Sequence, residues 1–273
     1  MSSRSISGWR AWTQGLGVLA HSPIYVLALA AFIGLWCFAG YEWLWLPESS
    51  GLVLALALVW ILALASLAVA AVSGTVSSVS AVASGANKHL SLKRILSLER
   101  IGRTTLVALA VLAGVFVLDA VFGWINDHAV FIASFLTFHF QHPVSTILIG
   151  KILWVIEAII WITFASVLMN WLLWFSSPRP SAPTQNAIRP ARLIGVMTFV
   201  TGILSTGVFG GLAWLLATWH PMVKPGGWDY AQLAIRNGAA LLLLTIGWLF
   251  WALTLARVAI SPLTAPASSP PRS

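Results

Sequence analysis

Long continuous apolar runs, centred on Leu29, Leu64, Leu109, Ile160, Gly207 and Leu243, alternate with short polar segments along the chain. A bilayer core about 30 Å thick takes roughly 20 apolar residues per helix. The runs Ile24–Leu46, Gly51–Ala83, Thr104–Trp124, Thr146–Phe175, Leu193–Trp219 and Ala231–Val258 all meet that length. They are apolar at consecutive rather than alternate positions, which predicts helices and not the strands of a membrane barrel. The fold class that follows is all-α: a polytopic membrane helix bundle of six transmembrane helices within residues 1–260. Residues 261–273, with Pro262, Pro266, Pro270 and Pro271, read as a disordered tail.

Two more segments carry a one-sided apolar pattern suited to the membrane surface. In Ser7–His21, Trp9, Trp12, Leu16 and Leu19 share one helical face, with Arg10, Thr13 and Gln14 elsewhere. In Ser91–Arg103, Leu92, Ile95, Leu96 and Glu99 share a side, surrounded by Lys93, Arg94, Arg100 and Arg103. Both are predicted as interfacial helices on the cytoplasmic side. Ala129–His139 is apolar but too short to cross, which predicts a re-entrant or interfacial helix capped by Asp127. Asp229 and Gln232 have the spacing of a capping box opening the sixth span.

Gly51–Ala83 is longer than a membrane requires, and Ser66, Ala70, Gly74 and Ser78 recur along it every fourth position. Ser73, Ser77, Ala81 and Gly85 repeat the pattern on the adjacent stripe. Small side chains let backbones approach closely where lipid is as apolar as protein, which predicts this helix at the centre of the bundle. All thirteen prolines fall at span ends, in loops or in the tail, which argues against the interrupted helices of many transporters.

Composition and charge add an orientation. The chain is 59% hydrophobic and 8% charged, against about 25% charged residues in soluble domains, so a soluble globular domain is excluded. Twelve of the fifteen basic residues fall on one side: Arg4 and Arg10, the Lys88–Arg103 loop, Arg179 to Arg192, then Arg257 and Arg272. The other side holds Lys151, Lys224 and Arg236 with Glu42, Glu48, Asp119, Asp127 and Asp229. Lys and Arg are retained on the cytoplasmic side, so both termini are expected in the cytoplasm, with the N-terminus kept as an anchor in a bacterial inner membrane. The formal charge of +8 favours anionic lipid head groups. Its spread over four segments does not suit nucleic acid, so the expected partners are membrane lipids and other membrane proteins. Cys37 is the single cysteine, which leaves no internal disulfide. Trp43, Trp45, Trp124, Trp219 and Trp228 suit an outer aromatic belt, and Trp171, Trp174 and Trp251 an inner one.

Candidate chemistry is sparse. Glu157 lies about ten residues inside the fourth span, where a charge costs about 2.5–3.5 kcal/mol on insertion scales. Arg236, Lys151 and Asp119 are candidate members of an intramembrane charge network with it. A structural clamp, a proton, ion or substrate pathway, and a snorkelling carboxylate remain three open readings of Glu157. His128, His139, His142 and His220 would suit Zn²⁺ or another transition metal only if their loops meet. The spacing is not a metal motif, and ordinary interfacial histidines with no metal are expected. Ala71-Val72-Ser73-Gly74 lacks the leading Gly of the rhomboid-protease GxSG serine and has no intramembrane His as base. Ser205 lacks the spacing of a nucleophile elbow. With no complete catalytic constellation and no cofactor fingerprint, the expectation is a non-enzymatic accessory or scaffold component without a cofactor. The alternative is a transporter or channel using Glu157.

The lead-in Gly8-Trp9-Arg10-Ala11-Trp12, running through His21-Ser22-Pro23 into a span, is repeated in style by Leu90-Ser91-Leu92-Lys93-Arg94-Ile95-Leu96 before the third. These segments resemble uncharacterised bacterial multi-helix membrane families, including the membrane domains attached to some glycerophosphodiester phosphodiesterases. The resemblance covers about half of the chain and implies a membrane domain alone. The sequence contains no soluble phosphodiesterase domain, and no catalytic residue carries over.

Overall fold

The structure, a computed structural model, describes residues 8–46, 50–96, 101–176, 196–219 and 228–259. Among them run α1 (Gly8–Ala20), α2 (Pro23–Leu44), α3 (Gly51–Ala83), α4 (Ile101–Asp127), α5 (Ala129–Phe140), α6 (Thr146–Ser176), α7 (Val196–Leu204), α8 (Gly211–Thr218) and α9 (Trp228–Ala259). A π-helical turn, Ser205–Gly210, joins α7 to α8 without interruption. Six helical stretches are long and apolar enough to cross a membrane: α2, α3, α4, α6, the α7–α8 unit and α9. The protein is therefore an all-α, multi-pass membrane bundle, with span borders close to those set by the apolar runs. The predicted tail at 261–273 lies outside the described residues.

The two ends of the bundle differ. The basic end gathers α1, the start of α2, the finish of α3 and the finish of α9, together with Arg10, Lys88, Lys93, Arg94 and Arg257. The core sits there, around Tyr25, Leu29, Val76, Leu173, Leu249 and Leu253. Toward the opposite end the helices expose large apolar side chains, including Leu52, Phe116, Phe138 and Ile147.

The central helix is α9, not α3 as the small-residue stripe predicts. Every residue from Leu249 to Ala256 is buried, because α9 is ringed by α1, α2, α3, α6 and the α7–α8 unit. Of the most apolar 18-residue window in each helix, 56% is buried in α9 and 6% in α3. The buried residues of α3 lie mostly in its second half. Ala70, Gly74 and Ser78 are buried, whereas Ser66 is exposed and turns its hydroxyl back to the Leu62 carbonyl at 2.8 Å.

What covers the α3 stripe is backbone. The chain reverses after α3 at Gly85, whose φ of +78° is the left-handed conformation that glycine adopts without steric cost. It then runs back beside the helix. Leu90 is buried, its N–H donating to Ser22 Oγ at 3.2 Å. A Cβ at position 74 would overlap the Arg94 carbonyl oxygen and stand 2.5 Å from that of Ile95. An α-helix is about 10–12 Å across with its side chains, so a helix in this place could not lay its carbonyls on Gly74. Of the segment predicted as an amphipathic helix over Ser91–Arg103, Leu92–Arg94 form a three-residue 3-10 turn, Ile95 and Leu96 are not helical, and Ile101–Arg103 open α4. Residues 97–100, which include Glu99 and Arg100, lie outside the described residues.

The first predicted surface helix forms as α1 but buries a different face. Ala11, Gly15, Val18 and Leu19 are buried, while Trp9 and Leu16 stay exposed. The small side chains decide this, since a Cβ on Gly15 would lie 3.2 Å from Thr254 Oγ1 of α9. At the opposite end α5 follows α4 after the single residue His128. Asp127 therefore ends α4 instead of capping α5, and His128 at the cap position makes no side-chain capping bond. Asp229 likewise lies inside the first turn of α9, where negative charge complements the helix dipole.

Candidate functional site

Polar side chains inside the bundle concentrate along the buried part of α9 and its neighbours at the basic end. Tyr25 of α2 donates to Thr75 Oγ1 of α3 at 3.2 Å, both residues being almost inaccessible. Ser78 sits one turn further along α3. Trp12 Nε1 of α1 donates to Thr201 Oγ1 of α7 at 3.0 Å. Ser205 Oγ, opening the π turn, donates to the Gly247 carbonyl of α9 at 2.6 Å. A Cβ on Gly247 would come within 2.7 Å of Phe209 Cβ, so the π turn sets Phe209 directly on the α9 backbone. An inserted residue of this kind is common at functional positions. The glycines of the fifth span mark its place, although hydropathy alone reads the span as uniform.

Among the described residues, several buried polar atoms on this seam have no hydrogen-bond partner: Trp251 Nε1, Thr254 Oγ1 and Arg257 Nε on α9, with Ser80 Oγ on α3. Buried polar atoms are nearly always satisfied, so this concentration sets the region apart. Trp251, Thr254 and Arg257 follow one another at three-residue spacing, and Arg257 Nη1 donates to Gln14 Oε1 of α1. Trp251, predicted for the inner aromatic belt, is a core residue packed against Gly202. The polar stripe on α9 is legible in the sequence as a threefold spacing, but its significance depends on α1 lying across it.

Of the four residues considered for a charge network, two engage other groups and two are exposed. Glu157 is half-buried on α6 and accepts from Trp161 Nε1 at 3.4 Å. Arg236 donates from Nη2 to the Ala217 carbonyl at 2.9 Å, where a cation complements the C-terminal dipole of α8. Lys151 and Asp119 are exposed on α6 and α4. Trp43, placed in the outer aromatic belt, and Trp36 also tie helices together. Trp36 Nε1 reaches the Leu64 carbonyl at 2.8 Å, and Trp43 Nε1 reaches that of Ala57 at 2.9 Å, fastening α2 to α3 at two levels. Trp45, Trp124 and Trp219 remain exposed at that end. The side chains of Trp174 and Trp228 lie outside the described residues.

Of the candidate histidines, His139 and His142 line one open depression of about 620 Å³, together with Thr137, Phe138, Gln141 and Pro143. His128 is engaged elsewhere, with Nδ1 2.7 Å from the Trp124 carbonyl and its ring 4.5 Å from that indole. His220 lies outside the described residues. Among the described residues no three His, Cys, Asp or Glu side chains are grouped closely enough to hold a metal ion. No protein family, curated protein sequence or solved structure matches the chain.

Proposed function

We propose that the protein is a non-enzymatic membrane scaffold that organises lipids or partner membrane proteins, with its basic end and both termini in the cytoplasm of a bacterial cell. The observation that carries this reading is the uneven packing, with α9 more than half buried over its apolar window and α3 only 6% buried. A rigid core at one end anchors helices whose far halves present broad apolar surface to lipid or to another protein's helices. The distribution of Lys and Arg supports the orientation. The test is isolation of the full chain in native-lipid nanodiscs and in mild detergent, followed by native mass spectrometry. A defined lipid or protein retained in fixed ratio is expected. A lone chain with only freely exchanging lipid would overturn the scaffold reading.

One observation favours a second reading, that of a transporter or channel. The Glu157 carboxyl sits within a span with the Trp161 indole N–H as its partner among the described residues, the setting of a proton-accepting group. Under that reading vesicles containing the protein relax an imposed pH gradient faster than empty vesicles, and Glu157→Gln stops the effect. Equal relaxation in both vesicle types removes it.

A further inference from the structure

Two histidines from distant parts of the chain meet on the surface of the basic end. His21 follows α1, and His89 lies in the segment that returns beside α3; their ring centroids are 6.2 Å apart, with the planes inclined by 29°. Both side chains are exposed. The backbone beneath them is pinned. Ser22 and Leu90, the next residue in each segment, are buried and joined by the Leu90 N–H bond to Ser22 Oγ at 3.2 Å. Just ahead of His89, the Asn87 N–H donates to the Ala81 carbonyl of α3 at 3.1 Å.

The two rings play different parts. His21 Nδ1 lies 2.7 Å from the Gly17 carbonyl oxygen, and a nitrogen facing an oxygen acceptor carries the proton. The neutral ring therefore donates from Nδ1 and keeps its lone pair on Nε2. A backbone carbonyl holding the far N–H is the arrangement that orients metal-ligating histidines and raises their basicity. His89 makes no hydrogen bond among the described residues, and its one ring contact there is with His21. His128 bonds to the Trp124 carbonyl in the same way, but the ring beside it is that residue's indole, which has no lone pair to offer a metal.

We infer that His21 Nε2 and His89 form a two-histidine site for a divalent transition-metal ion of the Zn²⁺ or Cu²⁺ class, with water completing the coordination. Imidazole suits these ions. With metal–nitrogen bonds of about 2.1 Å, two imidazoles on one ion have their centroids about 5–6 Å apart. The observed spacing is at the upper edge of that range, and a turn of the exposed His89 ring closes it. An offset aromatic stack holds rings at a similar distance, but a stack needs no ring nitrogens, and substitution separates the two. The site joins the α1–α2 corner to the segment after α3, and it requires neither the scaffold nor the transporter reading.

The test uses the untagged full-length protein in detergent, stripped with chelator and titrated with ZnCl₂ by calorimetry. One Zn²⁺ per chain is expected, with a rise in unfolding temperature. His89→Phe keeps an aromatic ring against His21 and removes the ligand. It should weaken Zn²⁺ binding about tenfold or more, the range over which even the outer partners of metal-ligating histidines act, and leave the metal-free unfolding temperature unchanged. His21→Gln should lose binding likewise. Unaltered Zn²⁺ affinity in His89→Phe would overturn the site, as would failure of the unaltered chain to take up Zn²⁺ at submillimolar concentration. His139→Ala with His142→Ala should leave the stoichiometry at one, and loss of the ion there would assign it to the opposite end and overturn the proposal. If His89→Phe destabilises the metal-free chain, Cu²⁺ bound to the unaltered protein decides by pulsed electron paramagnetic resonance. Two coupled imidazoles are expected, and one or none would overturn the pairing.

Discussion

Replacing Gly74 by alanine tests the least expected contact in the fold, that of the Leu90–Ile95 backbone on α3. The added Cβ would overlap the Arg94 carbonyl and stand 2.5 Å from the Ile95 carbonyl oxygen. Ordinary contacts begin near 3.4 Å, so the Arg94 carbonyl must retreat by about 1.4 Å. Overpacking of a filled interior costs about 1–3 kcal/mol, and backbone pinned by buried Leu90 and its bond to Ser22 yields less readily than a side-chain tip. Against a cost near 3 kcal/mol stands the helix preference for alanine over glycine, about 0.5–1 kcal/mol. The net expectation is destabilisation by about 2 kcal/mol. Gly123→Ala is the control, since nothing lies within 4 Å of the added methyl, and it should stabilise by about 0.5–1 kcal/mol. Reversible unfolding of the full chain in mixed micelles measures both. Trypsin cleavage at Lys93 and Arg94 reports the local effect and should accelerate in Gly74→Ala alone. Equal stability of the two variants, with unchanged cleavage, would show that the loop does not rest on α3.

Three further expectations follow from named contacts. Trp12→Phe keeps the ring and removes the bond to Thr201, so it should cost about 1 kcal/mol and speed hydrogen exchange in α1 ahead of the other helices; uniform exchange would contradict docking through that bond. Because Glu157 pairs with Trp161 and Arg236 with the Ala217 carbonyl, Glu157→Gln and Arg236→Gln should act additively within about 0.5 kcal/mol, and a coupling above about 1 kcal/mol would restore the direct clamp. After replacement of Cys37, which is exposed, a new thiol at Lys93 should react with an impermeant reagent only in opened cells and one at His142 in intact cells; the reverse pattern would invert the proposed orientation.

The sequence by itself determined the class of the protein, because hydrophobic thickness demands long uninterrupted apolar runs and leaves helices as the economical way to satisfy their backbone. The apolar run Gly51–Ala83 coincides with α3, where Ser50 caps the start and the chain turns at Gly85, a residue that the sequence pattern placed on a helical stripe. The tertiary structure decided which helix lies at the centre and what each small-residue stripe receives. In a membrane an apolar face is equally content against lipid, so the α3 pattern could not say whether a helix, a loop or hydrocarbon would cover it. The same ambiguity hid the buried face of α1, where Ala11 and Gly15 outweighed Trp9 and Leu16 because close approach to α9 required small side chains. Glu157 and Arg236 stood out as charges within apolar spans, but their partners, an indole and a helix-terminal carbonyl, depend on which residues the packed helices bring alongside. The Arg257–Gln14 hydrogen bond exists only because α1 folds across α9, joining residues 243 positions apart in the chain.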